Sequence, residues 1–112
     1  MTKRQASRIT GLDMDEIIGD AEDLRCIVDD GRPVFFKPGK DVFASLVSAV
    51  YAFRCQVVLE RQRWMCATCG RRTGLSVHHK VHRSKGRSDA LSNLEGLCID
   101  CHNAAHGTKK GA

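Results

Sequence analysis

The sequence predicts an α+β fold in which two strands and a short helix form a core stapled by four cysteines, preceded by a long amphipathic helix and a small N-terminal extension. Two observations carry this. Apolar residues Val42, Phe43, Leu46, Val47, Val50, Phe53 and Val57 recur at helical spacing. Further on, two Cys-x-x-Cys pairs bracket a strand, a loop of turn-formers and a second strand.

In chain order, residues 1–12 read as a flexible arm. Asp13 can cap a short helix beginning at Met14, with Gly19 as its stop. Two apolar runs in residues 24–36 flank Asp30-Gly31, a pair that favours a tight turn, so a hairpin is expected there. Pro38-Gly39 ends this N-terminal extension, residues 1–40. The remainder, 41–112, forms the principal domain. Asp41 is the expected N-cap of a helix running to about Trp64, with Arg54, Glu60, Arg61 and Arg63 mostly off its apolar face. Leu75–Val81 reads as a strand, 84–93 as a loop, Leu94–Leu97 as the return strand and Cys98–His106 as a helix, ahead of a disordered tail.

The apolar share of 42% is ordinary for a globular chain. The stretch Val42–Phe53 falls short of the roughly 20 residues a membrane span needs. The basic N-terminus has no apolar core of a secretion signal, which places the protein in a reducing, cytoplasmic setting. The net charge of +5 is unevenly spread: residues 13–31 hold eight acids against Arg25 alone, and residues 32–112 hold fourteen bases against five acids. The basic part suits a polyanion, and the acidic stretch could fold against it.

Cys66/Cys69 and Cys98/Cys101 stand 28 residues apart. In a reducing compartment such pairs point to metal, and two knuckles supply four thiolates to one tetrahedral zinc, a disulfide framework being the alternative. Four protein sulfurs leave no vacancy for substrate, so this zinc is structural. Cys26 and Cys55 fall outside the pattern and read as small core residues.

All five histidines lie between residues 78 and 106. His102 and His106, four apart, share one helix face, as two imidazoles gripping one ion would. The string from Cys66 to His106 combines a His-His pair after a strand, a Ser-x-Gly loop, an Asn-Leu step and a Cys-x-x-Cys-His ending. It closely resembles the HNH endonuclease family, of ββα-metal fold; the helix residues just before Cys66 resemble its lead-in, and residues 1–40 resemble nothing recognisable.

The resemblance implies a metal-dependent DNA endonuclease, nicking or cutting both strands. His79 would be the general base and Asn93 the residue whose amide holds its imidazole. His78, where many members have Asp, would bind the catalytic metal with His102, and His106 would complete a three-imidazole site as in colicin-like members. Adjacent strand positions face opposite ways, so His78 can address the metal while His79 addresses water. A histidine with one nitrogen fixed can accept a proton from water near neutral pH. Imidazole ligands favour Mn²⁺ or Ni²⁺, with Mg²⁺ possible. Lys80, Arg83, Lys85 and Arg87 flank the centre and are expected on backbone phosphates. His82 replaces the family's usual proline and is expected to face solvent, with phosphate contact the alternative; Arg87 stands where a second glycine is common. The alternative is a non-catalytic zinc-binding module for nucleic acid or protein, which would need none of His79, Asn93 or the helical histidines. Family analogy suggests a bacterial or phage-encoded enzyme, monomeric or homodimeric.

Overall fold

A computed structural model describes residues 1–21, 24–81 and 86–105. The elements are α1 (Lys3–Thr10), β1 (Ile18–Ala21), β2 (Leu24–Asp29), β3 (Arg32–Phe36), α2 (Val42–Arg61), β4 (Leu75–His79), β5 (Leu94–Cys98) and α3 (Ile99–Ala105). The strands form an antiparallel sheet in the order β1-β2-β3 and a separate antiparallel hairpin, β4-β5.

The arm expected at residues 1–12 is instead a helix. Thr2 and Gln5 form a reciprocal capping box, and Gly11 closes the C-terminus in a left-handed conformation at φ 73°. These devices satisfy helix-end groups, and Ala6 and Ile9 anchor the helix in the core. Asp13 does cap, but the turn it caps is a single 3-10 stretch, Met14–Glu16, after which the chain enters β1, a strand the sequence reading lacked. The β2-β3 hairpin forms as expected. Asp30 and Gly31 both have positive φ, 55° and 74°, the conformation that matches a two-residue turn to the strand twist.

Helix α2 is shared between two cores. Its first half, with Leu46, Val47 and Val50, packs with Ala6, Ile9, Met14, Ile27, Val34 and Phe36. Residues 1–40 therefore form a core with α2, and the division at residue 40 is not a packing boundary. Towards its C-terminal end, Val57 and Val58 are buried, and Leu59 and Gln62 meet β5 at Gly96. The Gln62 amide accepts from the Gly96 N–H at 2.9 Å and donates to its carbonyl at 3.0 Å, pairing with the strand edge as another peptide would. By length and composition α2 is the one helix among the described residues apolar enough to cross a bilayer. In this fold one side of it, with Leu46, Val47, Val50, Val57 and Val58, serves as core.

Arg54, expected off the apolar face, is only 5% exposed. Its guanidinium forms a two-pronged pair with buried Asp29, Nε to Oδ2 at 2.7 Å and Nη2 to Oδ1 at 3.0 Å. Asp30 accepts from Arg61 at 2.9 Å. Two residues of the acidic stretch thus meet arginines of α2. A guanidinium is tolerated inside because its charge is matched and its donors are used.

The second core is small: Cys66, Leu97 and Cys98 are buried, with Leu75 and Cys101 against them. Cys26 and Cys55, expected inside, are both only half-buried.

Candidate metal centre and active site

The first knuckle is a tight turn in which the Cys66 N–H donates to the Arg71 carbonyl at 2.7 Å and the Gly70 N–H to the Cys66 carbonyl at 3.0 Å. Gly70 sits at φ 79°, where a side chain would be strained. The second knuckle runs from the end of β5 into α3, and Arg71 reaches Asp100 across the two at 2.8 Å.

These turns bring the sulfurs of Cys66, Cys69, Cys98 and Cys101 within 4.8 Å of one another. A tetrahedral zinc with bonds of about 2.3 Å sets its sulfurs about 3.8 Å apart. Cys69 and Cys98 are separated by 3.6 Å. Peptide N–H groups also prepare the thiols: that of Cys69, with help from Cys98 and Thr68, brings Cys66 down to about 6, and that of Cys101 lowers Cys98. Cys101 is pushed up to about 12, first because its thiol proton is held by Cys98. Four converging sulfurs, two of them acidified, fit a zinc ion by number, spacing and chemistry.

The β4-β5 register pairs His78 with Glu95 and His79 with Leu94, so the adjacent histidines project from opposite faces of the hairpin. On one face His78 meets α3. Its ring lies 5.3 Å from that of His102, edge-on at 75°, and both Nδ1 atoms are buried. Two imidazoles on one ion, with bonds of about 2.1 Å and angles of about 90° to 110°, place their centroids about 4.6 to 5.3 Å apart. The observed spacing meets the upper end of that range. Glu95 lies 3.3 Å from His78 Nε2 and can orient that ring.

On the other face His79 is 9% exposed. Its ring stacks on Tyr51 of α2, 5.5 Å between centroids and 4° from parallel. Its Nε2 lies 2.7 Å from Oδ1 of Asp89, a wholly buried carboxylate. Arg87 donates to both oxygens of the same carboxylate, at 3.0 and 2.9 Å. A carboxylate forked by a guanidinium is ionised and only accepts, so Nε2 carries the proton and the Nδ1 lone pair remains for chemistry.

Two expectations change here. Asn93 does not hold the His79 ring: its side chain accepts from the Val81 N–H at 2.9 Å and donates to the Ser88 carbonyl at 2.8 Å, while its carbonyl accepts from the Lys80 N–H at 2.7 Å. It staples together the two ends of the β4-β5 connection, because the 3-10 turn Leu91–Asn93 carries its amide into the connection. Asp89 takes the orienting place. Arg87, expected on phosphate, is committed to Asp89 and lies over the Tyr51 ring at 5.7 Å. Lys80 is exposed, as a phosphate contact requires. His82, Arg83, Lys85 and His106 lie outside the described residues. Asp89, Arg54 and Tyr51 escaped the sequence reading; an acid between turn-formers gives no local sign of being buried.

The fold and site together define a ββα unit with a four-cysteine site that can hold zinc and histidines on both faces of its hairpin. Residues 66–108 match the family model for HNH endonuclease, a likeness that points to nuclease or nucleic-acid-binding function. Neither the comparison with curated proteins nor that with solved structures gave a match.

Proposed function

We propose that the protein is a metal-dependent DNA endonuclease that hydrolyses phosphodiester bonds with His79 as general base. The observation that carries this reading is the pairing of an imidazole fixed by Asp89 at 2.7 Å with the His78/His102 pair, 5.3 Å apart, one strand position away. His78 and His102, with His106 as the third imidazole, would hold the divalent ion, Mn²⁺ or Ni²⁺ better than Mg²⁺. Bound there, the ion would neutralise charge on the scissile phosphate and on the leaving 3′ oxygen.

His79 Nδ1 then takes a proton from the attacking water, and the Asp89 carboxylate stabilises the imidazolium that results. Asn93 keeps the connection closed, which holds His79 at the end of β4. Lys80, Arg83 and Lys85 contact the backbone phosphates. Cys66, Cys69, Cys98 and Cys101 hold the structural zinc.

A second reading, a non-catalytic zinc module that binds nucleic acid, is favoured by one observation: the burial of His79 flat against Tyr51, which also suits a purely structural histidine. One experiment separates the two. Protein stripped of loosely bound metal is incubated with supercoiled plasmid and added Mn²⁺, Ni²⁺ or Mg²⁺, beside His79→Ala. Nicking by the wild type that is lost in the variant supports the enzyme. Plasmid binding without nicking under every ion supports the module.

A further inference from the structure

Asp89 orients His79, and while Arg87 holds its carboxylate from within the same connection, its main chain is held from outside it. Its N–H donates to the carbonyl of Ile9 in α1 at 2.8 Å. Its carbonyl accepts from Nη1 of Arg54 in α2 at 2.8 Å. Arg54 is in turn held by Asp29 at the end of β2. Ile9, Asp29 and Arg54 all lie outside the segment that matches the nuclease family.

We propose that Arg54 and Asp29 are positioning residues for His79, acting through the main chain of Asp89, so that the N-terminal half of the chain sets the orientation of the catalytic base. Stability alone does not account for this arrangement, because a buried ion pair is commonly matched or bettered by apolar residues of the same volume. What apolar residues cannot supply is a rigid fork with a third donor aimed at a specific carbonyl. Arginine has one and lysine does not. Two prongs on Asp29 fix the plane of the guanidinium, which leaves Nη1 directed at Asp89. The same helix face supports the base a second time, since Tyr51 stands three residues before Arg54 and stacks on the His79 ring. The imidazole is thus held flat by one side chain of α2 and at its edge, through Asp89, by another. Charge is balanced throughout: Asp29 and Asp89 face Arg54 and Arg87.

The role assigned to His79 rests on the nuclease reading, whereas the positioning of its ring is open to test without activity. The experiment uses full-length zinc-loaded protein labelled with ¹⁵N in its histidines, as wild type, Asp29→Asn and Arg54→Lys, with the His79 signals assigned by their loss in His79→Ala. In the wild type the ring is expected as the Nε2-protonated tautomer. In both variants, with zinc content and circular dichroism retained, the ring should become a mixture of tautomers, and kcat on plasmid should fall by about 10- to 100-fold at unchanged KM. A folded variant whose His79 tautomer and kcat match the wild type overturns the proposal. So does failure of both variants to fold, which would make Arg54 a residue of stability alone. Wild-type protein that never cuts DNA removes the nuclease reading, and the tautomer spectra still decide whether Arg54 and Asp29 orient the ring.

Discussion

Gly96→Ala should destabilise the protein by about 2 to 4 kcal/mol, although nothing in its backbone conformation forbids alanine. Gly96 lies in ordinary strand geometry inside β5. The obstacle is α2. An added Cβ would stand 2.7 Å from Leu59 Cδ2 and 3.0 Å from Gln62 Nε2. Carbon atoms rest about 3.5 to 4.0 Å apart, so Leu59 must swing by roughly 1 Å. Overpacking of this kind costs about 1 to 3 kcal/mol. The Gln62 amide must also move, which weakens its two bonds to the Gly96 peptide, each worth about 0.5 to 1.5 kcal/mol net. The assay is urea unfolding at fixed zinc concentration, followed by circular dichroism, for Gly96→Ala, Leu59→Ala and the double variant. Removing the Leu59 methyls should relieve the overlap, so the cost of Gly96→Ala should drop by at least about 1 kcal/mol in that background. A single variant within about 0.5 kcal/mol of wild type, or strict additivity in the double, would refute the close approach of α2 to β5.

Four further outcomes are expected. Chelation strong enough to take the metal from the cysteines should unfold the β4-β5-α3 unit, whose apolar core besides its cysteines is only Leu75, Leu94 and Leu97, while the α1/β-sheet/α2 core keeps its helix signal; hydrogen exchange reads both. His79→Ala should reduce plasmid cutting by a factor of about 10² to 10⁴ with DNA affinity largely kept, measured by nicking and gel shift. Mn²⁺ or Ni²⁺ should support faster cutting than Mg²⁺ at equal concentration, and His78→Asp should narrow the gap; best activity in Mg²⁺ would count against the all-imidazole ligand set. Asp41, the cap of α2, is held below its usual pKa first by the terminal ammonium of Met1 and then by the Ala44 N–H. A lowered folded pKa means a contribution present above the usual value of 3.8 and lost as the pH falls through the folded one. Asp41→Ala should therefore lower Tm near neutrality and have little effect in strong acid.

What could be read from the sequence follows from how local each cause is. The long helix, the Asp30-Gly31 turn and the paired knuckles each depend on residues within a few positions of one another, and each formed where expected. Helix α1 does carry a local signal, Thr2 and Gln5 at capping-box spacing with Gly11 just past the end, but one too short to stand out from a polar arm. Strand β1 had little, since its sequence IGDA shows no alternation of apolar and polar residues. Arg54 could not be read as buried, because a charged residue in a periodic helix reads as solvent-facing until its partner is known. That partner, Asp29, is 25 residues away. The exchange of Asn93 for Asp89 at His79 has the same origin. Both lie in one connection, and only the folded path decides which side chain meets the ring.

The sharing of α2 between two cores has a consequence in helical phase. Leu46, Val47 and Val50 set the rotation of the rod against the sheet, and Tyr51, Arg54, Leu59 and Gln62 set it against the hairpin. One residue inserted between Val50 and Tyr51 would turn the second set by about 100° relative to the first and advance it by about 1.5 Å. Seven residues would nearly restore the angle but lengthen the rod by about 10 Å, carrying Arg54 away from Asp29. The register of this single helix therefore acts as a ruler between the two halves, and a change in its length has no nearby value at which both halves fit.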